Sequence, residues 1–274
     1  GHRVVALAKP GTDPRVLPAA VELRTGDLAD PVSLSAAVTP DIDAVVNLAT
    51  PSGDAAVDSA ATEALLAPLR GTGRALVYTS GVWVLGATGG RPVDETAPTD
   101  PIDIVGYRPR VEEQVLAAAG DGVRSVVVRP GVAHGRGGGI PALLVQLAAE
   151  HGAGLHVGED AVRWPMVHVD DLADLFVLAL DRAPAGAVLH GVAEPAVGTR
   201  ELAHAAATAA GVTQVRPWPL DDARRALGRP FADALACDQT VAADRTRAGL
   251  GWAPRRPGAV TELTAGSYVL TTAG

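Results

Sequence analysis

The stretch DAVVNLATPSGDAAVDSAATEALLAPLRGTGRALVYTS, residues 43–80, decides the fold. It opens on the apolar run DAVVNLA (43–49), crosses an Ala/Leu-rich segment at 53–70 and closes on a second run, ALVYTS (75–80). The apolar residues in each run are consecutive rather than alternating. Strands of that kind are covered on both faces, and a helix between two of them implies a parallel pair. The same grammar extends in both directions. RVVALA (3–8) reads as a buried strand, VELRTGD (21–27) as a second and RSVVVRP (124–130) as a fifth, with further helices expected at 31–38 and 109–119.

The predicted fold is therefore α/β: a Rossmann-type, doubly wound parallel sheet over residues 1–135. Past about residue 135 the pattern loosens. A helix at 140–150, Gly/Pro-rich loops, a strand AVLHGVA (187–193) and a helix at 199–211 predict a small, mixed substrate-binding region over 136–274. Pro109 suits a first helical turn and Gly120 a helix stop. Asp170 or Asp171 suits the cap of the helix DLADLFVLAL.

Composition bounds the function. A chain of 274 residues has room for a sizeable core, mostly of Ala, Val and Leu, since aromatics make up only 3%. A net charge of −8 argues against nucleic acid or an anionic membrane as the main partner. Cys237 is the only cysteine, so no intrachain disulfide forms. No apolar run approaches the roughly 18 residues of a membrane span, and no signal peptide opens the chain. A soluble cytoplasmic protein is expected. The histidines lack ligand spacing: His151 and His156 share no face with a carboxylate or thiol, so no metal site is expected.

Seven segments, in order, resemble the extended short-chain dehydrogenase/reductase family, of the NAD-dependent epimerase/dehydratase type. They are GDLAD (26–30), VVNLAT (45–50), VYTSGVWVLG (77–86), VDETAP (93–98), VVVRPGVAHGRGGG (126–139), WPMVHVDDLADL (164–175) and LGWAP (250–254). The resemblance implies NAD or NADP as cofactor and a small hydroxylated or carbonyl substrate, such as a nucleotide sugar or natural-product intermediate. It implies that Asp27 and the Leu28 amide meet the adenine, that Asn47, Ala49 and Thr50 line the same sheet edge, and that Arg129 and Pro130 lie beside the nicotinamide. Lys9 ends the first strand, where a cation pairs the 2′-phosphate of NADP; this points to NADP over NAD. A homodimer through the helices near 53–70 and 109–119 is also implied.

Three departures bear on the chemistry. The family's GxxGxxG turn, which holds the pyrophosphate at a helix N-terminus, is absent: GHRVVALA already reads as the second strand. Three arrangements would answer this: a segment preceding Gly1, a strand from a second chain, or a sheet closed differently. The first is expected, because GHRVVAL reads like the end of a longer helix–turn–strand unit. The family's lysine, four residues after its tyrosine, is also absent, for Lys9 is the only lysine. In one register Tyr107 is the proton donor or acceptor and Val111 replaces the lysine. In the other, Arg108 and Glu112 match the lysine and a following glutamate, and Ile104 replaces the tyrosine. An arginine supplies charge but not a proton relay. Pro109 disfavours helical dihedrals at Arg108, which puts Tyr107 just ahead of the helix. Third, the family's serine position is Gly81; the adjacent Ser80 and Thr79 are left to serve if the turn shifts, with Ser80 the candidate to polarise the carbonyl.

His134, in the RPGVAHG loop, is an acid/base candidate near neutral pH. Trp83 and Trp164 are candidates for the cleft wall, and Trp218 and Trp252 for packing. Cys237 has no activating neighbour. Two other functions stay open: a redox-inactive relative that senses a dinucleotide or binds a partner, and a cofactor-free cyclase or lyase using Tyr107 and His134.

Overall fold

The computed structural model describes residues 1–13, 15, 17–158 and 161–269. The chain runs β1 (Val5–Ala8), β2 (Glu22–Thr25), α1 (Pro31–Ala37), β3 (Ala44–Asn47), α2 (Ala55–Leu66), β4 (Ala75–Thr79), α3 (Arg108–Ala117), β5 (Arg124–Pro130) and β6 (Val132–His134). It continues through α4 (Gly139–His151), β7 (Ala153–Val157), β8 (Arg163–His168), α5 (Val169–Arg182), β9 (Ala187–Gly191), β10 (Glu194–Gly198) and α6 (Thr199–Ala209). It closes with β11 (Gln214–Trp218), α7 (Leu220–Leu227), α8 (Arg229–Leu235), α9 (Asp244–Leu250) and α10 (Ala259–Ala265). The residues form two compact units. One comprises Gly1–Thr79, Arg110–Val127 and Pro184–Ala187; the other comprises Ser80–Pro109, Val128–Ala183 and Val188–Gly274.

In the first unit β1 pairs with β2, and β3 with β4, in parallel, as the consecutive apolar runs require: Val5 stands opposite Glu22, and Ala44 opposite Ala75. Leu66, Leu76, Val115 and Val126 are buried without exposure. Helices α2 and α3 are tied by Ser59 Oγ donating to Gln114 Oε1 at 2.9 Å. One expectation fails here. β1 and β2 form a sheet of their own, separate from the sheet that begins with β3 and β4. β1 is consequently not a buried strand: Leu7 is 38% exposed, and Val4, directly before the strand, 52%. Apolar sequence on both faces predicts cover on both faces only when neighbours are present to supply it.

Helix ends also differ from expectation. Arg108 is the first residue of α3, and the stop is Gly122 at φ 75°, not Gly120. Helix α5 is capped by His168, whose Nδ1 accepts from Asp170 N at 3.1 Å. Asp171 instead accepts backbone N–H bonds from Arg255 and Arg256, at 2.9 and 3.0 Å.

The second unit is mixed. β8 lies between β6, parallel to it, and β10, antiparallel to it; β11 pairs in parallel with β7. Around them Leu144, Leu155, Trp164, Met166, Leu202 and Leu235 make one core. Trp164 is a packing residue rather than a cleft wall: it is 4% exposed and its Nε1 donates to Leu235 O. Trp218 and Trp252 are buried as expected. No helix among the described residues is long and apolar enough to cross a membrane.

Candidate active site

The residues with candidate chemistry fall on both units. Lys9, Asp27, Leu28, Asn47, Ala49 and Thr50 belong to the first; Ser80, Tyr107, Arg108, Arg129, Pro130 and His134 belong to the second.

In the first unit, β1 and β2 run in register to Ala8 and Thr25, and Gly26 N donates to Ala8 O at 3.0 Å. The chain ends carrying Lys9 and Asp27 therefore leave one sheet edge side by side. Lys9 is exposed. Asp27 Oδ1 accepts from Ala29 N at 2.9 Å, which shapes the turn that presents the Leu28 amide. Asn47 makes the same kind of turn, its Oδ1 accepting from Ala49 N at 3.1 Å, and leaves Ala49 and Thr50 exposed at the end of β3. The two helix N-termini that follow these strands are already occupied. Asp30 accepts from Ser33 N at the start of α1, and Asp54 accepts from Ala56 N and Val57 N at the start of α2. An acidic cap excludes a phosphate from those ends.

In the second unit, the turn after β4 gathers several candidates. Ser80 N donates to Val128 O at 2.7 Å, which fixes the strand end. Ser80 is 6% exposed, and its hydroxyl is buried with no hydrogen-bond partner among the described residues. Gly81 has extended backbone, φ −179°. A Cβ placed on it would lie 3.9 Å from Arg108 Nη1 and 4.0 Å from Pro130 O, so the Ser80–Gly81 turn, Arg108 and the Arg129–Pro130 loop converge. The turn continues as a single 3-10 helix, Val82–Leu85, closed by Gly86 at φ 62°. A Cβ at Gly86 would run into Asp100 O, so a side chain there is excluded twice over.

Tyr107 is half-buried in the turn directly before α3, as the proline predicts. Ile104 lies in a separate 3-10 turn, Asp103–Val105, and not on the helix that carries Arg108. The register that pairs Ile104 with Arg108 on one helix therefore has no continuous helix beneath it. Val111, at the lysine position of the other register, is 2% exposed and packs as an apolar residue.

His134 is 1% exposed, on β6 opposite His168 of β8. Its ring stands edge-on to His168, with centroids 5.2 Å apart, and its Nε2 is 3.7 Å from Glu194 Oε2. Burial, reinforced by His168, pushes its pKa down to about 4, so the ring is neutral at pH 7 rather than poised to titrate there. Cys237 is buried, which pushes its thiol up to about 11 and leaves it inert.

Sequence reasoning missed two features of this site. Gln239, 1% exposed, reaches the serine turn from a loop more than 150 residues away in sequence, and nothing local marks it. Tyr268, whose hydroxyl accepts from Gly135 N at 2.7 Å and donates to Gly138 O at 2.8 Å, pins the glycine-rich loop after His134.

Comparison with known proteins gives a consistent picture. A family model, the RmlD substrate binding domain, matches residues 5–249. The uncharacterized protein C2A9.02 of Schizosaccharomyces pombe is 31% identical over 216 residues, 77% of this chain and 71% of that protein. The uncharacterized protein YLL056C of Saccharomyces cerevisiae is 30% identical over 283 residues, 97% of this chain and 91% of that one. Among solved structures, the human epimerase family protein SDR39U1 (isoform 2) with NADPH superposes with a TM-score of 0.76 at 26% identity, covering 97% of this chain and 100% of that one.

Proposed function

The chain belongs to the RmlD substrate-binding-domain family, within the extended short-chain dehydrogenase/reductase class, and from that premise we propose that it is an NAD(P)-dependent oxidoreductase or epimerase/dehydratase acting on a small hydroxylated or carbonyl compound. The observation that carries this reading is the buried, unpartnered hydroxyl of Ser80 in a turn that meets Arg108 and Pro130. A buried hydroxyl without a partner is costly to keep, and a substrate oxygen would complete it.

On this reading Ser80 Oγ donates to the substrate carbonyl and Tyr107 gives or takes the proton at that oxygen. Arg108 supplies the positive charge that favours the tyrosinate, without relaying a proton. The nicotinamide, when bound, supplies or accepts the hydride. Arg129 and Pro130 would face it, and Lys9, Asp27, the Leu28 amide, Asn47, Ala49 and Thr50 would hold the adenosine half. The strand ends fit adenosine. The acid-capped starts of α1 and α2 do not fit the pyrophosphate, which must be met elsewhere than at those two helix ends.

NADPH and NADH titrations followed by nicotinamide fluorescence test the proposal. Binding of at least one nucleotide is expected, with NADPH the tighter and Lys9→Glu reversing the order. Binding of neither would overturn it. A second reading, a redox-inactive relative that only binds the dinucleotide, is favoured by the buried Val111 at the lysine position. It predicts binding without turnover of any carbonyl.

A further inference from the structure

Behind the serine turn stands one side chain that the mechanism above does not use. Gln239 lies between α8 and α9, with its amide fully enclosed. Its Nε2 donates to Val82 O at 2.9 Å and to Gly86 O at 2.8 Å, the carbonyls at the two ends of the single 3-10 turn that follows Ser80. We propose that Gln239 is a positioning residue: it sets the turn that aims the Ser80 hydroxyl, and so governs turnover without touching substrate. This rests on the oxidoreductase reading of Ser80.

The backbone around Gln239 is anchored well enough to serve as a reference. Gln239 N donates to Arg163 O at 2.9 Å. The preceding residue, Asp238, takes a two-pronged ion pair from Arg163, at 3.0 Å from Nε and 2.8 Å from Nη2. On the other side, Thr240 N donates to Thr88 Oγ1 at 2.9 Å, Thr88 N donates to Asp238 O at 3.1 Å, and Val241 bridges to Val93. The segment 238–241 thus ties β8 to the loop that carries the turn. Other fixed points of the turn among the described residues are Ser80 N on Val128 O, Asp100 N on Val84 O and Ile102 N on Trp83 O, with Val84 N on Gly81 O and Gly86 N on Trp83 O inside the turn itself. Among these, only the Gln239 amide spans the turn from end to end. Both of its N–H groups are used, so no apolar residue of like volume substitutes for it. Misplacing a polarising group by about 1 Å costs on the order of 100-fold in rate, so a small relaxation of this turn is expressed in kcat before it is expressed in folding.

The test compares the full chain with Gln239→Met, which keeps the volume and removes both donors, and Gln239→Glu. Two readouts are taken. One is hydrogen–deuterium exchange across residues 80–90. The other is NADPH-dependent reduction of phenanthrenequinone, as a carbonyl probe, followed by nicotinamide absorbance. Gln239→Met is expected to speed exchange from Gly81 to Gly86 selectively and to lower kcat by about tenfold or more, with KM for NADPH unchanged. In Gln239→Glu, the introduced carboxyl faces two carbonyl oxygens and keeps its proton well above the usual carboxylate range. Its O–H restores one bond, so kcat relative to wild type is expected to fall as pH rises through that raised pKa. A merely structural role gives no such profile. Wild-type exchange across 81–86 in Gln239→Met overturns the proposal, whatever the activity. So does selective exchange accompanied by wild-type kcat and a flat pH ratio in Gln239→Glu. A wild-type chain that reduces nothing with NADPH or NADH removes the oxidoreductase reading, and with it the catalytic part of this proposal; the exchange result still decides separately whether Gln239 holds the turn.

Discussion

Replacing Ser80 by alanine should make the protein more stable and less active. The hydroxyl is buried and without a partner among the described residues, and an unsatisfied buried polar group costs about 1–3 kcal/mol. Ser80→Ala removes that cost and leaves the backbone bond from Ser80 N to Val128 O untouched. The small void left by one oxygen takes back part of the gain. A net stabilisation of about 1 kcal/mol corresponds to a rise in Tm of about 2–4 °C for a chain of this size. The same hydroxyl, aimed at a developing oxyanion, contributes on the order of 100-fold to turnover. Thermal denaturation followed by circular dichroism, together with NADPH-dependent reduction of phenanthrenequinone, reads both effects on one preparation. A fall in Tm of about 2 °C or more would mean the hydroxyl is satisfied within the fold. An undiminished kcat would take Ser80 out of the mechanism. Either result defeats the reasoning that a costly unpaired group marks the substrate.

Other consequences follow from buried groups. His134 titrates near 4 in the folded chain and near 6.5 when unfolded, so the unfolded state binds the extra proton between those values. Stability is complete above about pH 6.5 and falls by roughly 3 kcal/mol as pH drops to 4; urea unfolding across that range should show the slope, and His134→Gln should flatten it. Asp171→Asn leaves one of the Arg255 and Arg256 amides facing another donor, which should cost about 2–3 kcal/mol and appear as a shifted urea midpoint with unchanged slope. Cys237, its thiol pushed up to about 11 by burial, should resist an aromatic disulfide reagent in mildly alkaline buffer and react fully once urea unfolds the chain; rapid reaction of the native protein would show that the loop before Gln239 opens.

What the sequence determined by itself was whatever short-range pattern encodes. The consecutive apolar runs at 75–79 and 124–130 specify parallel strands covered on both faces, and Leu76 and Val126 are indeed buried. Pro109 placed Tyr107 at the threshold of its helix, because a proline constrains its own neighbours. The order of short motifs was enough to indicate the family. The tertiary structure decided whatever depends on which segments meet. RVVALA reads as a buried strand, yet half-exposes Leu7, because cover comes from neighbours and not from the strand's own residues. The strands β6 (VAH), β7 (AGLHV), β10 (EPAVG) and β11 (QVRPW) lack the consecutive β-branched run that marks β5 and exist through their partners. Asp171 looks like a helix cap, but its carboxylate is taken by two amides more than 80 residues away. The enclosure of the Ser80 hydroxyl and the reach of Gln239 to Val82 and Gly86 are likewise products of packing. A side chain's identity limits the bonds it is able to make, and only the folded chain determines which of them are made.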